Sequence, residues 1–507
     1  MLSTLIWLPI AGALVLSLSP LDSRQAKAAA LSVASAVLLW TIWLFIQFDL
    51  TDMGFQMREF MAWLPALGLN YDLGLDGLSL MMVGLSSLLT WIVVLSSAQD
   101  KTRPRFFYSS ILLVNGVVAG AFLAQNLLLF FLLFEIELVP LYFLIAIWGG
   151  EKRDYAATKF LLYTATAGAL IFASFIGLVL LEGSLDFSYA AAIQHHLPMS
   201  AQVVLLSALL VGFGIKIPLI PFHTWLPDTY VAASPAVAIL LGGVLAKLGT
   251  YGIFRFGLGL FPDAWALLSP YLAVWAAASV LYGSITAIAQ KDIKRMVAYS
   301  SIGHMGYVML GGAAATELSL IGAIAQMVSH GLILALLFHL VGLVEDKVGT
   351  RQLDGLNGLM NPLRGLPMVS ALLVLSGMAS AGIPGLVGFI TEFLVFQGSY
   401  SVFPVQTLIC VVGTGLTAVY FVILINRTCF GKLDGRTMTA NAGYKEVSSI
   451  ERAPALVLAT LVIVLGLQPN WLVHWSTDSA QALVAGLPTQ KVEQVAVEPD
   501  NPNLEKF

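Results

Sequence analysis

The chain has 507 residues, of which 58% are hydrophobic and only 11% charged, and its formal net charge is -4. With a mean hydropathy of +0.87 it has too little polar surface to dissolve as a globule of this size, which marks it as an integral membrane protein. Cys410 and Cys429 make no metal or haem spacing and no GxGxxG or Walker loop occurs, so no bound cofactor, nucleotide or metal is expected in this chain.

A bilayer core about 30 Å thick is crossed by about 20 apolar residues. Apolar runs bounded by charges, Pro or Gly define fourteen spans: 3–19, 28–47, 78–97, 106–124, 127–148, 158–181, 203–222, 235–257, 265–289, 296–314, 318–344, 367–398, 403–426 and 453–475. The first run lacks a basic start and a small-residue cleavage site, so it reads as a retained helix rather than a signal peptide. Cytoplasmic loops should be rich in Lys and Arg. Alternate loops, starting with the one after the first helix, collect 19 of these residues, from Arg24 and Lys27 to Arg452, against 4 on the other side: Arg58, Arg255, Lys491 and Lys506. That asymmetry supports fourteen spans with both termini on the non-cytoplasmic side. The loops "WGGEKRDYAATKF" and "AQKDIKRMVAYSS" read as ordinary positive flanks, and Arg255 as an interfacial anchor.

Two proline-broken spans echo each other. Ile217-Pro218 followed by Phe222-His223-Thr224 is matched, about 166 residues on, by Ile383-Pro384 followed by Phe389-Ile390-Thr391. Five helices over 106–257 and five over 265–426 fit that offset, and an odd number per unit inverts the second copy. The expectation is an all-α polytopic membrane protein of about fourteen transmembrane helices, with two inverted five-helix repeats and a discontinuous helix in each. Residues 1–105 then form three N-terminal helices, 453–475 the last helix and 476–507 a short polar tail.

The remaining basic residues, Lys216 and Lys247, fall inside spans, as do the acids Glu135, Glu137 and Glu392. Each such charge costs about 2.5–3.5 kcal/mol to insert on translocon scales, a heavy load for mere packing. A lysine held between desolvation and a nearby carboxylate can take up and release a proton near neutrality, as a relay requires. Pro218, Pro221 and Pro227 free backbone carbonyls near Lys216, and irregular backbone at this depth survives only when buried in protein or lining a watery cavity. Gly382, Pro384, Gly385 and Gly388 stand in the same relation to Glu392. Mid-span position favours ion movement over structural pairing for Lys216, Lys247, Glu135 and Glu392. Glu137 lies two residues from Glu135, on another side of the helix, and reads equally as a subunit contact. His304 and His330 could continue a relay or be satisfied core residues. His223 and Asp228 flank the first break, lining its cytoplasmic entrance or capping freed backbone.

The stretches "FFLLFEIELVPLYFLIAIWGG", "GIKIPLIPFHTWLPD", "GGVLAKLGTYGIFRF", "QKDIKRMVAYSSIGHMGY" and "SAGIPGLVGFITEF" resemble the successive signatures of the antiporter-like membrane subunits of respiratory complex I and its photosynthetic relatives. The resemblance runs from about residue 70 to 430. Glu392, where two sister subunits usually carry lysine, points to the NuoM/NdhD branch, and the E-x-E pair with "WGGEKRDYAATKFLLYT" looks like the cyanobacterial and plastid form in the NAD(P)H dehydrogenase-like complex. The resemblance implies a thylakoid proton-pumping unit driven by redox chemistry elsewhere, with Glu135 and Lys216 as a coupled acid-base pair, Lys247 the central relay, His304 and His330 a link and Glu392 the outlet. Quinone, iron-sulfur clusters and electron donor would sit on other subunits, and the partners would be lipids and neighbouring antiporter-like subunits, not nucleic acid. Tyr230 stands where the family's "HTWLPDAH" ends in histidine, so an entrance histidine is missing; the same variant resembles forms devoted to inorganic-carbon uptake. Phe134 replaces the usual Trp before the key glutamate, and the end 32 residues after the last span leaves no room for the long lateral helix of the largest sister subunit. The alternative is a subunit of a multi-subunit Na+/H+ antiporter, which shares most of these motifs.

Overall fold

The computed structural model describes residues 1–52, 54–98, 102–432, 444 and 446–488; the end of the expected tail, from 489 on, lies outside the described residues. Each expected span is occupied by helix. In chain order these are α1 (Ser3–Leu18), α2 (Ser23–Gln47), α3 (Gly77–Ser96), α4 (Pro104–Leu123), α5 (Leu127–Trp148), α6 (Arg153–Leu181) and α7 (Met199–Lys216) with the short α8 (Trp225–Ala232). There follow α9 (Pro235–Leu258), α10 (Pro262–Ile288), α11 (Ile293–Ala314), α12 (Glu317–Val348), the split pair α13 (Pro367–Ser380) and α14 (Val387–Tyr400), α15 (Pro404–Cys429) and α16 (Ser449–Leu467). Among the described residues eleven helices are long and apolar enough to cross a membrane. The other three expected spans are the 16-residue α1, the more polar α11, and the α13/α14 pair, whose halves are too short singly.

Two elements depart from the sequence reading. Between α2 and α3 lies an antiparallel hairpin, β1 (Gln56–Leu64) and β2 (Leu69–Leu75), turned through Pro65–Leu67 and Gly68. Gly68 has φ +68°, and a Cβ there would lie 2.0 Å from the Leu185 carbonyl oxygen, so only glycine closes this turn. The last helix is also not one run to residue 475. It stops at Leu467 before Pro469, and a further helix, α17 (Asn470–Ala485), replaces the first part of the expected polar tail. Ser479 on α17 accepts from the Leu78 N–H at 2.8 Å and donates to Asp76 at 3.4 Å. Glu59 of the hairpin accepts from the Leu2 N–H at 2.7 Å, so the N-terminal residues and α17 gather at the same end of the bundle.

The membrane windows of α9 and α12 are wholly enclosed by the rest of the chain, whereas only 28% of the α2 window is buried. The two central helices carry Lys247 and His330. Close packing there depends on glycine: a Cβ on Gly243 would lie 2.3 Å from Leu89 of α3, and one on Gly331 would lie 2.7 Å from Leu85.

Candidate functional site: a buried line of charge

Lys216 is the last helical residue of α7. Pro218 and Pro221 end the helix, and the backbone turns through residues 217–224 before α8 begins. The Trp225 indole N–H donates to the Ile215 carbonyl at 2.8 Å, the Trp275 indole N–H donates to the Ile220 carbonyl, and the Ser279 hydroxyl accepts from the Ile220 N–H at 3.3 Å. Two indoles and a serine therefore take up the Ile215 carbonyl and the Ile220 carbonyl and N–H at the break. The partner of Lys216 is a carboxylate.

That carboxylate is Glu137. Its Oε1 lies 2.5 Å from Lys216 Nζ, both side chains are fully buried, and the ammonium sits 4.3 Å from the centre of the Phe134 ring. Pro140 lacks the N–H that would bond the Ile136 carbonyl, and α5 breaks at Glu137 into Leu127–Ile136 and Leu138–Trp148. Glu135, which the sequence reading pairs with Lys216, is half-buried and turns against α6, where its Oε1 covers Gly168 so closely that a Cβ on that glycine would lie 1.8 Å away. The ion pair is thus Lys216 with Glu137, and Glu137 is buried within the chain rather than at a subunit contact.

A second group is strung across the enclosed helices. Residues Leu241–Leu245 of α9 form a π-helical turn, and Lys247 Nζ reaches back to the Gly242 carbonyl at 2.7 Å and across to His330 Nδ1 on α12 at 2.6 Å. The His330 and His304 rings are 5.6 Å apart. His304 Nδ1 lies 3.3 Å from Glu392 Oε1, and its Nε2 lies 2.9 Å from the Ser380 hydroxyl. Glu392 Oε2 accepts from the Thr414 hydroxyl, whose oxygen accepts in turn from the Tyr307 hydroxyl, each at 3.1 Å. The second break makes this possible: α13 ends at Ser380, Gly382 turns with φ +70°, and Glu392 Oε2 lies 3.2 Å from where a Gly382 Cβ would be. Lys247, His330, His304 and Glu392 thus stand in sequence, all at most 5% exposed. Among the described residues no hydrogen bond or ion pair joins this string to Lys216; α9 comes against Lys216 at Gly249, where a Cβ would lie 3.1 Å from Lys216 Cβ.

The flanks are more structured than positive-inside loops. Asp228 is held by Lys159 at 2.8 Å and Arg295 at 3.3 Å, and Asp292 by Arg351 at 2.6 Å. Lys294, only 2% exposed, donates to the Ala233 carbonyl at 2.5 Å and to Val231 at 3.4 Å, pinning the link between α8 and α9. His223 Nε2 lies 3.1 Å from the Tyr282 hydroxyl. Arg255 is not an interfacial anchor. It is 5% exposed, pairs with Asp76 at 2.5 Å, donates to Tyr251 at 3.2 Å and sits among the rings of Phe55, Tyr189 and Tyr251. Tyr230 is fully buried, with Phe338 and Trp225 at its ring, so it is interior rather than at an entrance. Sequence reading passed over Asp76 and Lys294, since charges at span ends look like ordinary flanks. In Lys294 the available signal was its spacing from Ser301 and His304, seven and ten residues on, which places the three on one face of α11.

Broken helices on either side of an enclosed Lys-His-His-Glu string define an antiporter-like, proton-translocating membrane subunit. Residues 124–417 match the family model described as NADH:quinone oxidoreductase/Mrp antiporter, transmembrane, and the chain belongs to that family, whose membrane subunits carry no cofactor. It is 38% identical over 97% of its length, and 95% of the relative's, to NAD(P)H-quinone oxidoreductase chain 4 1 of Synechococcus sp. strain JA-3-3Ab. Its fold matches a chain of respiratory complex I from Thermus thermophilus with bound NADH at a TM-score of 0.87 and 28% identity, covering 96% of this chain and all of that one. A chain of the Mrp complex from Dietzia sp. DQ12-45-1b shares the fold, at a TM-score of 0.83 and 23% identity over 95% of this chain and 97% of that one.

Proposed function

We propose that this chain moves protons across the membrane as a subunit of an NAD(P)H-quinone oxidoreductase, driven by electron transfer on other subunits. The observation that carries the reading is the buried string Lys247, His330, His304 and Glu392, its first two members on helices wholly enclosed by the rest of the chain. Lys247 Nζ shares a proton with His330 Nδ1, the paired rings pass it on, and the Glu392 carboxylate receives it beside Thr414. The Glu137–Lys216 pair acts as the acid-base pair of the other half-channel. Glu135 stands beside that pair and replenishes Glu137, while His223 and Asp228 border the loop-side approach. The two five-helix repeats, 106–257 and 265–426, each supply one half-channel around their own break.

Similarity to the cyanobacterial chain 4 supports the plastoquinone-reducing, thylakoid form of the complex, with neighbouring antiporter-like subunits and lipids as partners and both termini on the lumenal side. Tyr230 is the feature that favours the inorganic-carbon-uptake variant. Affinity purification under mild detergent tests the assembly: co-isolation with iron-sulfur and quinone-binding subunits supports it, and co-isolation with Na+/H+ antiporter subunits alone refutes it. In the purified complex, Glu392→Gln should abolish or severely cut pumping while the subunit stays assembled; normal pumping would refute the assignment of the outlet.

A further inference from the structure

A chain that carries protons must also stop them from running back. Arg255 follows Lys247 by eight residues on α9, about 12 Å at 1.5 Å per residue, toward the end of the bundle that holds the hairpin and α17. Tyr251 stands halfway between them. Its hydroxyl donates to the Phe122 carbonyl at 3.0 Å, a group with no proton to pass on, and accepts from Arg255 Nε at 3.2 Å. Arg255 Nη2 pairs with Asp76 Oδ2 at 2.5 Å; the same oxygen accepts from Ser479 of α17 at 3.4 Å, and Asp76 Oδ1 accepts from the Ser79 N–H at 2.9 Å. Both carboxylate oxygens are therefore engaged. The rings of Phe55, Tyr251 and Tyr189 lie 5.0, 5.3 and 5.6 Å from the guanidinium carbon, and the Tyr189 hydroxyl donates to the Arg255 carbonyl at 3.3 Å. The string from Lys247 to Glu392 is built differently. There His330 Nε2 is buried without a partner, and ammonium, imidazole and carboxylate follow one another, each able to take up and release a proton. At the hairpin end the next ionisable group on α9 is a guanidinium, which keeps its protons, and its neighbours are committed to one another.

We infer that the Arg255–Asp76 pair, collared by Phe55, Tyr189 and Tyr251, is a proton seal: it closes the relay at the hairpin end, so that a proton on Lys247 has no way out along α9 and leaves through His330. The fixed guanidinium repels an approaching hydronium, the rings exclude the water that would carry one, and Ser479 ties the pair to α17. Arg255 takes no part in the transfer itself and acts by denying Lys247 a second exit. The inference rests on the reading of Lys247 as the central relay.

The test uses the whole complex in sealed vesicles, measuring passive proton entry after an imposed pH step with electron transfer stopped, and protons pumped per electron with it running. Arg255→Gln combined with Asp76→Asn removes both charges together and strands neither. It should raise passive entry severalfold and lower the proton-to-electron ratio while quinone reduction continues. Adding Lys247→Met should return passive entry to that of the unaltered complex, because the leaking proton has to come by way of Lys247; a pair that only held the bundle together would leave a leak indifferent to Lys247. Arg255→Lys keeps the charge but can release a proton; it should leak in the same direction, and it decides the matter if the double variant does not assemble. Unchanged passive entry in the double variant, or in Arg255→Lys where that stands in for it, overturns the seal alone, as does a leak that persists with Lys247→Met. Unchanged pumping in Lys247→Met overturns the relay beneath it.

Discussion

Replacing Lys216 by Met strands the Glu137 carboxylate in a site where both side chains are fully buried. At an effective dielectric of about 20, unit charges 2.5 Å apart attract by roughly 6–7 kcal/mol, and desolvation of the two ions offsets much of this. Removing one partner of such a pair typically costs about 3–5 kcal/mol, because the other charge is left uncompensated. Lys216→Met and Glu137→Gln should each fall in that range, while the double variant, with no stranded charge, should cost less than their sum by about 2–3 kcal/mol. Unfolding of the purified subunit in mixed detergent micelles gives the three free energies. Coupling below about 0.5 kcal/mol, or larger coupling of Lys216 to Glu135 than to Glu137, would refute the pairing.

Arg255 and Asp76 form a further buried ion pair, so Arg255→Leu alone should destabilise the same assay by about 3–5 kcal/mol, and adding Asp76→Asn should recover part of the loss; a loss that the second substitution deepens would contradict this. Gly382→Ala forces a side chain into φ +70° beside Glu392, which should cost about 1–3 kcal/mol of strain and lower pumping by displacing the carboxylate, whereas Gly415→Ala, with open space at its Cβ, should leave both unchanged. In the hairpin, burial pushes the Asp72 carboxyl above its ordinary 3.8, against the pull of the Arg58 guanidinium. The folded hairpin thus favours the protonated acid, and that stabilisation is complete below the ordinary value and fades as pH rises through the elevated one. Intrinsic-rate-corrected hydrogen exchange across β1 and β2 should show better protection at pH 4 than at pH 7, and the reverse order would refute it.

The spans were legible because a run of apolar residues long enough for a bilayer is a one-dimensional signal, read without knowing any neighbour. Lys216, Lys247 and Glu392 stood out for the same reason, as charges in the middle of such runs. Pairing is three-dimensional and was not legible. Glu135 and Glu137 differ by two residues, about 200° around a helix, and the break that Pro140 imposes at Glu137 decides which of them faces α7. Arg255 and Asp76 lie at the ends of different spans, where each alone looks like an interfacial charge. Only the packing of α9 against α3 joins them across 179 residues. The hairpin was missed because its exposed strand breaks alternation, with Phe60, Met61, Trp63 and Leu64 all turned outward. The helix α17 was missed because its polar residues suggested a tail, although Ser476, Ser479 and Ala480 are buried against the bundle.

The proton-to-electron ratio of the intact complex carrying Lys247→Met tests the central claim most directly. Proton flow along Lys247, His330, His304 and Glu392 requires the ratio to fall by this subunit's whole share while the complex remains assembled; an unchanged ratio would mean that protons cross elsewhere.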